Sequence, residues 1–235
     1  MNILDGKTAL ITGATGGIGT ALAKKLVDNG CDLILACRSD TKYADLANRL
    51  KRDDTKIEKL ICDFQNDHSV SQMISEIKDT NVDILINAAG LFPIKTILNS
   101  TLDDYGACFD VNVKIPFILS SILGKGMCNR QWGRIVNIGS SSSYNGSPET
   151  GLYCASKHAL LGLSRSLYQE FKSHNVRVYS VSPGSVQTNM GKTDTRQDFT
   201  TFITPEEVAE YICFIMSFDG EGISEETRIN RMVIR

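Results

Sequence analysis

Residues 7–37, KTALITGATGGIGTALAKKLVDNGCDLILAC, decide the fold. The apolar run 7–11 predicts a short strand, which breaks into a glycine-rich turn at 12–19. Apolar side chains at helical spacing, followed by a glycine, predict a helix over 21–30, and the apolar run 32–37 predicts a second strand. Strand, glycine turn, helix and strand in this order form a βαβ unit, in which both strands lie parallel in one sheet.

The same alternation continues along the rest of the chain. Further strands are predicted at 56–62, 82–90, 134–139, 176–184 and 227–234, and further helices at 69–77, 103–128, 151–173 and 204–217. Ile, Val and Leu fill the strands with little strict alternation, as is typical of a sheet covered by helices on both faces. Seven strands and about six helices predict an α/β fold: one Rossmann-like domain over residues 1–235, with a doubly wound, mostly parallel seven-stranded sheet.

The composition is that of an ordinary globular protein. Of 235 residues, 42% are hydrophobic and 22% are charged, and 25 basic against 27 acidic residues give a formal net charge of −2. This balance favours neither nucleic acid nor an anionic membrane as a partner. The sequence has no recognisable signal peptide and no uninterrupted apolar run of about 20 residues, so we expect a cytoplasmic protein.

The cysteines and histidines do not follow a disulfide or metal-binding pattern. The seven cysteines are scattered without a C-x-x-C pair, and the three histidines are far apart in the sequence. An odd number of unpaired cysteines is typical of reduced thiols in a cytoplasm rather than of a disulfide framework or a zinc site. We therefore expect no bound metal.

Three glycines of the first turn, Gly13, Gly17 and Gly19, lie where the chain leaves the strand and starts the helix. Because they lack side chains, they allow main-chain N–H groups and the helix N-terminus to approach a pyrophosphate. Their spacing differs from G-x-G-x-x-G, the general dinucleotide fingerprint. The alternative is a turn that needs glycine only for its geometry; the surrounding βαβ unit favours the phosphate site.

The segment 140–157, SSSSYNGSPETGLYCASK, carries the residues best suited to catalysis. Tyr153 and Lys157 are four apart and therefore share one face of the predicted helix. An ammonium beside a phenol stabilises the phenolate, so we expect Lys157 to lower the pKa of Tyr153 below its usual value of about 10. Ser140 could hold a carbonyl oxygen against that phenol. The alternative is a solvated helix face, because a Y-x-x-x-K pair often occurs by chance.

Several motifs occur together in this chain. They are T-G-x-x-x-G-I-G at 12–19, N-A-A-G at 87–90, Asn112, Ser140, Y-x-x-x-K at 153–157 and P-G at 183–184. In this combination the chain resembles the short-chain dehydrogenase/reductase superfamily over nearly its whole length. Gly16 also satisfies T-G-x-x-G-x-x-G, the pattern of the extended branch of that superfamily. The larger C-terminal region of that branch is missing here, so the compact single-domain branch is favoured.

The resemblance implies an oxidoreductase that transfers a hydride between NADP(H) and a small carbonyl or alcohol substrate, such as a 3-oxoacyl thioester, a ketone or a sugar derivative. Tyr153 would be the general acid and base, and Lys157 would tune it and bind the nicotinamide ribose. Ser140 would orient the carbonyl, and Asn112 would support a water chain to Lys157. The alternatives are a non-catalytic dinucleotide-binding sensor, which would be expected to lack a catalytic residue, and an epimerase or dehydratase, which the short C-terminus disfavours.

The resemblance also implies cofactor contacts along much of the chain. Thr188 matches a residue that bonds the nicotinamide carboxamide, and Asn87 matches one that supports the sheet beside the adenine ribose. Asp63 matches an adenine contact, with capping of the following helix as the alternative. The implied cofactor-binding residues are Gly13, Thr15, Gly17, Ile18, Gly19, Arg38, Asp63, Asn87, Ala88, Gly90, Tyr153, Lys157, Pro183, Gly184, Val186 and Thr188.

The end of the second strand indicates which cofactor is used. NAD-preferring members of the superfamily carry an acidic residue there, whereas this chain has Cys37 followed by Arg38. Without the carboxylate a 2′-phosphate is not repelled, and the guanidinium could bind it directly. We therefore expect NADP(H) to be favoured over NAD(H). The alternative is that Arg38 stacks on the adenine or faces solvent, and Gly16 occupies the place where some NADP-using members have a second basic residue.

Three segments are expected to form the substrate pocket, namely 91–100, 141–151 and 187–203. They mix apolar and polar groups and do not identify the substrate. The helices predicted at 103–128 and 151–173 carry apolar residues beyond the need of one sheet face, for example Phe109, Ile118, Leu119, Leu163, Leu167 and Phe171. The resemblance implies that these helices pair across a two-fold axis, so we expect a homodimer or homotetramer.

Overall fold

The computed structural model describes residues 2–220, 222 and 224–231 of the chain. The strands are β1 Thr8–Thr12, β2 Asp32–Cys37, β3 Ile57–Ile61, β4 Ile84–Asn87, β5 Gly133–Ile138, β6 Val176–Pro183 and β7 Glu226–Ile229. The α-helices are α1 Gly17–Asp28, α2 Asp40–Leu50, α3 Asp67–Ile77, α4 Leu102–Phe109, α5 Ile115–Arg130, α6 Gly151–Phe171 and α7 Pro205–Ser217.

The seven strands form one sheet in the order β3-β2-β1-β4-β5-β6-β7. Every neighbouring pair is parallel. The chain first builds outward from β1 to β3 and then crosses over to β4, so the order reverses between β1 and β4. In such sheets ligands bind outside the carboxyl ends of the strands at this switch point. The predicted Rossmann-like, doubly wound fold is confirmed.

Two apolar clusters pack on opposite faces of the sheet. One contains the buried faces of α1, α2 and α7, including Leu22, Leu46 and Ile212. The other contains buried residues of α3, α5 and α6, such as Met73 and Leu119. Helices therefore cover both faces, which accounts for strands that are apolar on both sides.

One helix was not expected from the sequence. α2 begins after Ser39, whose Oγ accepts a hydrogen bond of 3.3 Å from the main-chain N–H of Lys42. Leu46 and Leu50 are its buried residues and most of the others are polar, so the apolar stripe of this helix is narrow. The serine cap directly after the strand is the signal that could have revealed it.

Other elements differ from the prediction at their ends. β4 stops at Asn87 rather than at residue 90, because the N–H groups of Ala88 and Ala89 donate to Thr12 Oγ1 at 3.1 and 3.2 Å. The helix predicted at 103–128 is α4 and α5 joined by a π-helical segment, Asp110–Lys114. The last strand, predicted at 227–234, is β7; residues 232–234 of that prediction lie outside the described residues.

The helical stretch Leu102–Arg130 is long and apolar enough to cross a membrane by length and composition, with a mean hydropathy of 1.4 over its most apolar window. The side chains of Ile115, Leu119, Leu123 and Met127 are instead buried against the sheet. Packing in the core accounts for the apolar residues on this side of the stretch.

Candidate active site

A cleft of about 660 Å³ opens at the carboxyl ends of the strands. Its volume lies in the range of sites that bury a ligand the size of a cofactor or drug. Each residue predicted for catalysis or cofactor binding lines this cleft, with the exception of Asn87 and Asn112. The parallel sheet thus brings together side chains and turns that are far apart in the sequence.

The glycine turn forms the floor of the cleft between β1 and α1. Gly13 has a left-handed φ of +64°, and a Cβ built on it would lie 2.8 Å from the main chain of Ala89. A Cβ on Gly17 would lie 2.5 Å from Cγ2 of Thr188, and one on Gly19 would overlap the carbonyl oxygen of Gly13. A side chain at any of these three positions would collide with neighbouring protein atoms, so this tight turn requires glycine, and its main chain lines the cleft. The residues therefore fit a pyrophosphate above the N-terminus of α1.

At the end of β2, Cys37 is buried and Arg38 is exposed toward the cleft. Lys42, in the first turn of α2, lines the same cleft, and the sequence analysis missed it because α2 was not expected. In the described part of the chain neither Arg38 nor Lys42 is in a salt bridge. Two basic side chains at this edge are thus available for an anionic group.

Asp63 is exposed and lines the cleft after β3. Its Oδ1 accepts a hydrogen bond of 3.1 Å from the main-chain N–H of Gln65. The cap of α3 is instead Asn66, whose side chain accepts from the N–H of Ser69 at 3.0 Å. The alternative role of Asp63 as the cap of this helix is therefore wrong.

Asn87 lies below the cleft rather than in its wall. The side chain is buried, and its Nδ2 donates to Oδ1 of Asn137 at 2.7 Å. Asn137 in turn donates to Oγ of Ser164 at 2.9 Å. This chain of hydrogen bonds joins β4, β5 and α6, and it holds the turn after β4 in position.

Ser140 and Tyr153 form one wall of the cleft. Ser140 follows β5, and its Oγ accepts a hydrogen bond of 3.1 Å from the main-chain N–H of Ser142. Burial raises the pKa of Tyr153 to about 12, and the nearby side chain of Ser140 acts in the opposite direction. The ring of Tyr153 also contacts Phe92 edge to face, with centroids 4.7 Å apart. Ser140, Ser141 and Ser142 all line the cleft together with Tyr153.

Lys157 lies one helical turn beyond Tyr153, and its Nζ is 5.7 Å from the centroid of the tyrosine ring. Nζ donates a hydrogen bond of 2.7 Å to the main-chain carbonyl of Ile138. Burial lowers the pKa of Lys157 to about 8. The expected lowering of the pKa of Tyr153 by Lys157 is wrong for this structure, because desolvation of the buried phenol outweighs the influence of its neighbours.

Asn112 is buried in the π-helical segment, and its side chain clamps the loop after β4. Oδ1 accepts from the N–H of Leu91 at 2.8 Å, and Nδ2 donates to the carbonyl of Leu91 at 3.0 Å and to Oγ of Ser156 at 2.9 Å. The amide is thus fully engaged by protein groups. It positions Gly90 and Leu91 in the cleft wall.

The segment 187–203 lies over the other side of the cleft, as predicted. An isolated bridge between Val186 and Ile203 joins its two ends, and two short 3₁₀ turns lie between them. Val186, Thr188, Met190, Asp194, Arg196 and Phe202 all line the cleft. Within the described residues, no group of three or more His, Cys, Asp or Glu side chains could hold a metal ion.

Comparison with known proteins identifies the family. The short chain dehydrogenase family matches residues 7–198. The 3-oxoacyl-[acyl-carrier-protein] reductase FabG of Rickettsia prowazekii is 34% identical over 233 residues, with 95% of each chain covered.

Two solved structures share the fold. One is described as a putative NAD(P)-dependent gluconate 5-dehydrogenase from Beutenbergia cavernae with bound NADP; it is 27% identical, with a TM-score of 0.88 and 97% and 95% of the two chains covered. The other, a putative betaketoacyl-ACP reductase, is 30% identical, with a TM-score of 0.83 and 97% and 96% covered. Three observations indicate the same family: the glycine turn in the cleft, the cleft wall that contains Ser140, Tyr153 and Lys157, and the family match over most of the sequence. This chain belongs to the short-chain dehydrogenase/reductase superfamily of NAD(P)-dependent oxidoreductases.

Proposed function

We propose that this protein is an NADP(H)-dependent reductase of carbonyl groups in which Tyr153 is the general acid. The observation that carries the proposal is that Ser140, Tyr153 and Lys157 lie together in the wall of the cleft that also contains the glycine turn. An acid, an oxygen anchor and a cation thus face the place where a dinucleotide fits.

Tyr153 is suited to donating a proton. With a pKa of about 12, the buried phenol is protonated at neutral pH. When bound, the cofactor would supply the hydride to the carbonyl carbon. Tyr153 would give its proton to the carbonyl oxygen, and the Ser140 hydroxyl would hold that oxygen in place. In the reverse direction the phenolate would accept the proton of an alcohol.

Lys157 and Asn112 would support this proton transfer without contacting the carbonyl oxygen of the substrate. A pKa of about 8 leaves Lys157 able to gain or lose a proton near neutral pH. We propose that it holds the nicotinamide ribose and restores the proton of Tyr153. Asn112 would act as a positioning residue, since its amide fixes the main chain of Leu91 on both sides.

The preference for NADP(H) is supported by charge at the end of β2. Arg38 and Lys42 both face the cleft there, and Cys37 carries no negative charge at that position. A guanidinium and an ammonium can bind a 2′-phosphate together, and the guanidinium can do so with two parallel hydrogen bonds. The solved structure from Beutenbergia cavernae with bound NADP agrees with this proposal.

A 3-oxoacyl thioester is the substrate class that the relatives favour. FabG of Rickettsia prowazekii matches 95% of this chain, and its name states that it reduces 3-oxoacyl groups on acyl carrier protein. Apolar side chains in the cleft, including Phe92, Met190 and Phe202, would accommodate an acyl chain.

The test is reduction of a 3-oxobutanoyl thioester of N-acetylcysteamine by the full chain, followed as loss of NADPH absorbance. Tyr153→Phe should lower kcat by ~10²–10⁴-fold, the usual loss for a general acid, while NADPH still binds. Tyr168→Phe on the same helix is the matched control and should keep most of the activity. Turnover close to wild type in Tyr153→Phe would remove the tyrosine from the mechanism.

A further inference from the structure

The segment 187–203 carries an ion pair at the substrate side of the cleft. Arg196 donates from Nε to one carboxylate oxygen of Asp194 at 2.7 Å and from Nη2 to the other at 3.0 Å. The side chain of Asp194 is only 10% exposed, and Gln197 donates to it at 3.0 Å. The guanidinium and the carboxylate are therefore held in a fixed, bidentate geometry.

Arg196 also reaches across to the loop before α6. Its Nη1 lies 3.4 Å from the carbonyl of Pro148 and 3.5 Å from Oε2 of Glu149. Glu149 has a left-handed φ of +61°, and its carbonyl accepts a hydrogen bond of 2.6 Å from the N–H of Lys95. A left-handed conformation is unfavourable for a residue with a side chain, and such strain is retained where surrounding contacts impose it. Glu149 thus ties together the three segments expected to form the substrate pocket.

The charges of this bridge favour an uncharged ligand. Asp194 and Glu149 place two carboxylates around the single guanidinium of Arg196, so the bridge has a net negative charge. Besides Arg196, Lys157 is the other cation among the described residues that line the substrate side of the cleft. It is buried and donates a hydrogen bond to the main-chain carbonyl of Ile138. An anionic group there would face like charges or compete with Asp194 for Arg196. The cofactor side differs, because Arg38 and Lys42 form no salt bridge with any described residue.

We propose that the substrate is uncharged where it meets the segment 187–203, and that Asp194 determines this selectivity by neutralising Arg196. This inference rests on the proposed carbonyl reductase function and narrows its substrate class to esters, thioesters and simple ketones rather than oxo acids. Specificity of this kind comes from repelling the wrong ligand as well as from binding the right one.

Matched acids and methyl esters test the proposal: 3-oxobutanoate, 4-oxopentanoate and 5-oxohexanoate, each with its ester and NADPH. The wild-type protein should prefer the esters by about tenfold or more in kcat/KM, as expected for a site of like charge. Asp194→Asn frees the guanidinium, so this preference should fall by at least about threefold, and more at low salt. Asp198→Asn makes the same change in the same segment but away from Arg196, and it should leave the ratio unaltered.

Arg196→Gln provides an independent variant should Asp194→Asn fail to fold. It removes the cation and leaves both carboxylates, so the preference for esters should increase. Equal or better use of the acids by wild type in all pairs, or an unaltered ratio in both variants when circular dichroism shows them folded, would overturn the inference.

A binding measurement separates this inference from the proposed function. Each acid and ester is titrated into the NADPH complex, with the fluorescence of the nicotinamide as the signal. Tighter binding of esters without any turnover would support the inference and contradict the reductase function. Equal binding of acids and esters would overturn the inference, whatever the turnover.

Discussion

Lys157 donates a hydrogen bond of 2.7 Å to the main-chain carbonyl of Ile138, at the end of β5. The ammonium is buried, and in the described part of the chain it is in no salt bridge with a carboxylate. A carbonyl dipole compensates only part of the lost hydration, so burial lowers the pKa of Lys157 to about 8.

This buried lysine should make stability depend on pH. Above pH 8 the folded protein loses the proton of Lys157, whereas the unfolded chain keeps it until its pKa of 10.5. Because the unfolded state then binds more protons, the free energy of unfolding should rise over this window, by on the order of 3 kcal/mol in total. We expect wild type to gain stability relative to Lys157→Met between pH 7.5 and 9.5 in urea titrations. A constant difference would show that Lys157 keeps its ordinary pKa.

Replacing Gly13 by alanine should lower the free energy of unfolding more than replacing Gly6 by alanine. Both have a left-handed φ, +64° and +69°, but a Cβ on Gly13 would lie 2.8 Å from the main chain of Ala89, and one on Gly6 meets nothing within 4 Å. Gly6→Ala should therefore cost about 1–2 kcal/mol for the backbone conformation alone. Gly13→Ala adds a clash with main chain, typically about 1–3 kcal/mol more. Equal losses of unfolding free energy in the two variants would contradict the close approach of β1 and the turn after β4.

Much of the site could be predicted from the sequence because its parts lie at the ends of strands. The βαβ unit fixed the place of Gly13, and the helical spacing of Tyr153 and Lys157 put both on one face. The burial of the Tyr153 side chain was harder to predict, because it depends on packing by residues that are distant in the sequence, such as Phe92. The direction of its pKa shift was predicted wrongly for that reason.

Lys42 and α2 were missed for a different reason. Most residues of this helix are polar and Leu46 and Leu50 are its buried residues, so it has no apolar run that stands out in the sequence. Two of the expected interface residues need correction, because Leu119 and Leu167 are buried in the core of the monomer; Ile118, Leu163 and Phe171 pack against the core but stay partly exposed. Sequence alone does not show which apolar side chains are buried against one face of the sheet and which remain on the surface.

The predicted self-association should instead involve other residues of the same region. Leu98 and Leu102 are 96% and 86% exposed, and Tyr105 and Phe117 are about half exposed. Apolar side chains this exposed are typical of an interaction surface. We expect a homo-oligomer by light scattering at micromolar concentration, and Leu102→Glu with Phe117→Glu should dissociate it. Ile61→Glu, at an exposed apolar position on the edge strand β3, is the control. A monomeric wild type would contradict this prediction.

Cofactor choice should depend on both basic residues beside β2. A charge-assisted hydrogen bond contributes about 1.5–3 kcal/mol, so Arg38→Gln should lower kcat/KM for NADPH by about 10–100-fold and affect NADH little. Lys42→Gln should act in the same direction but less strongly, because a flexible ammonium forms a single contact. Arg49→Gln, in the last turn of α2 and outside the cleft, is the matched control.

Cys37→Asp combined with Arg38→Ala should reverse the preference, since the new carboxylate repels a 2′-phosphate and accepts the ribose hydroxyls. Added salt should weaken the binding of NADPH more than that of NADH. If wild type favours NADH, Arg38 does not bind a phosphate, and stacking on the adenine becomes its better explanation.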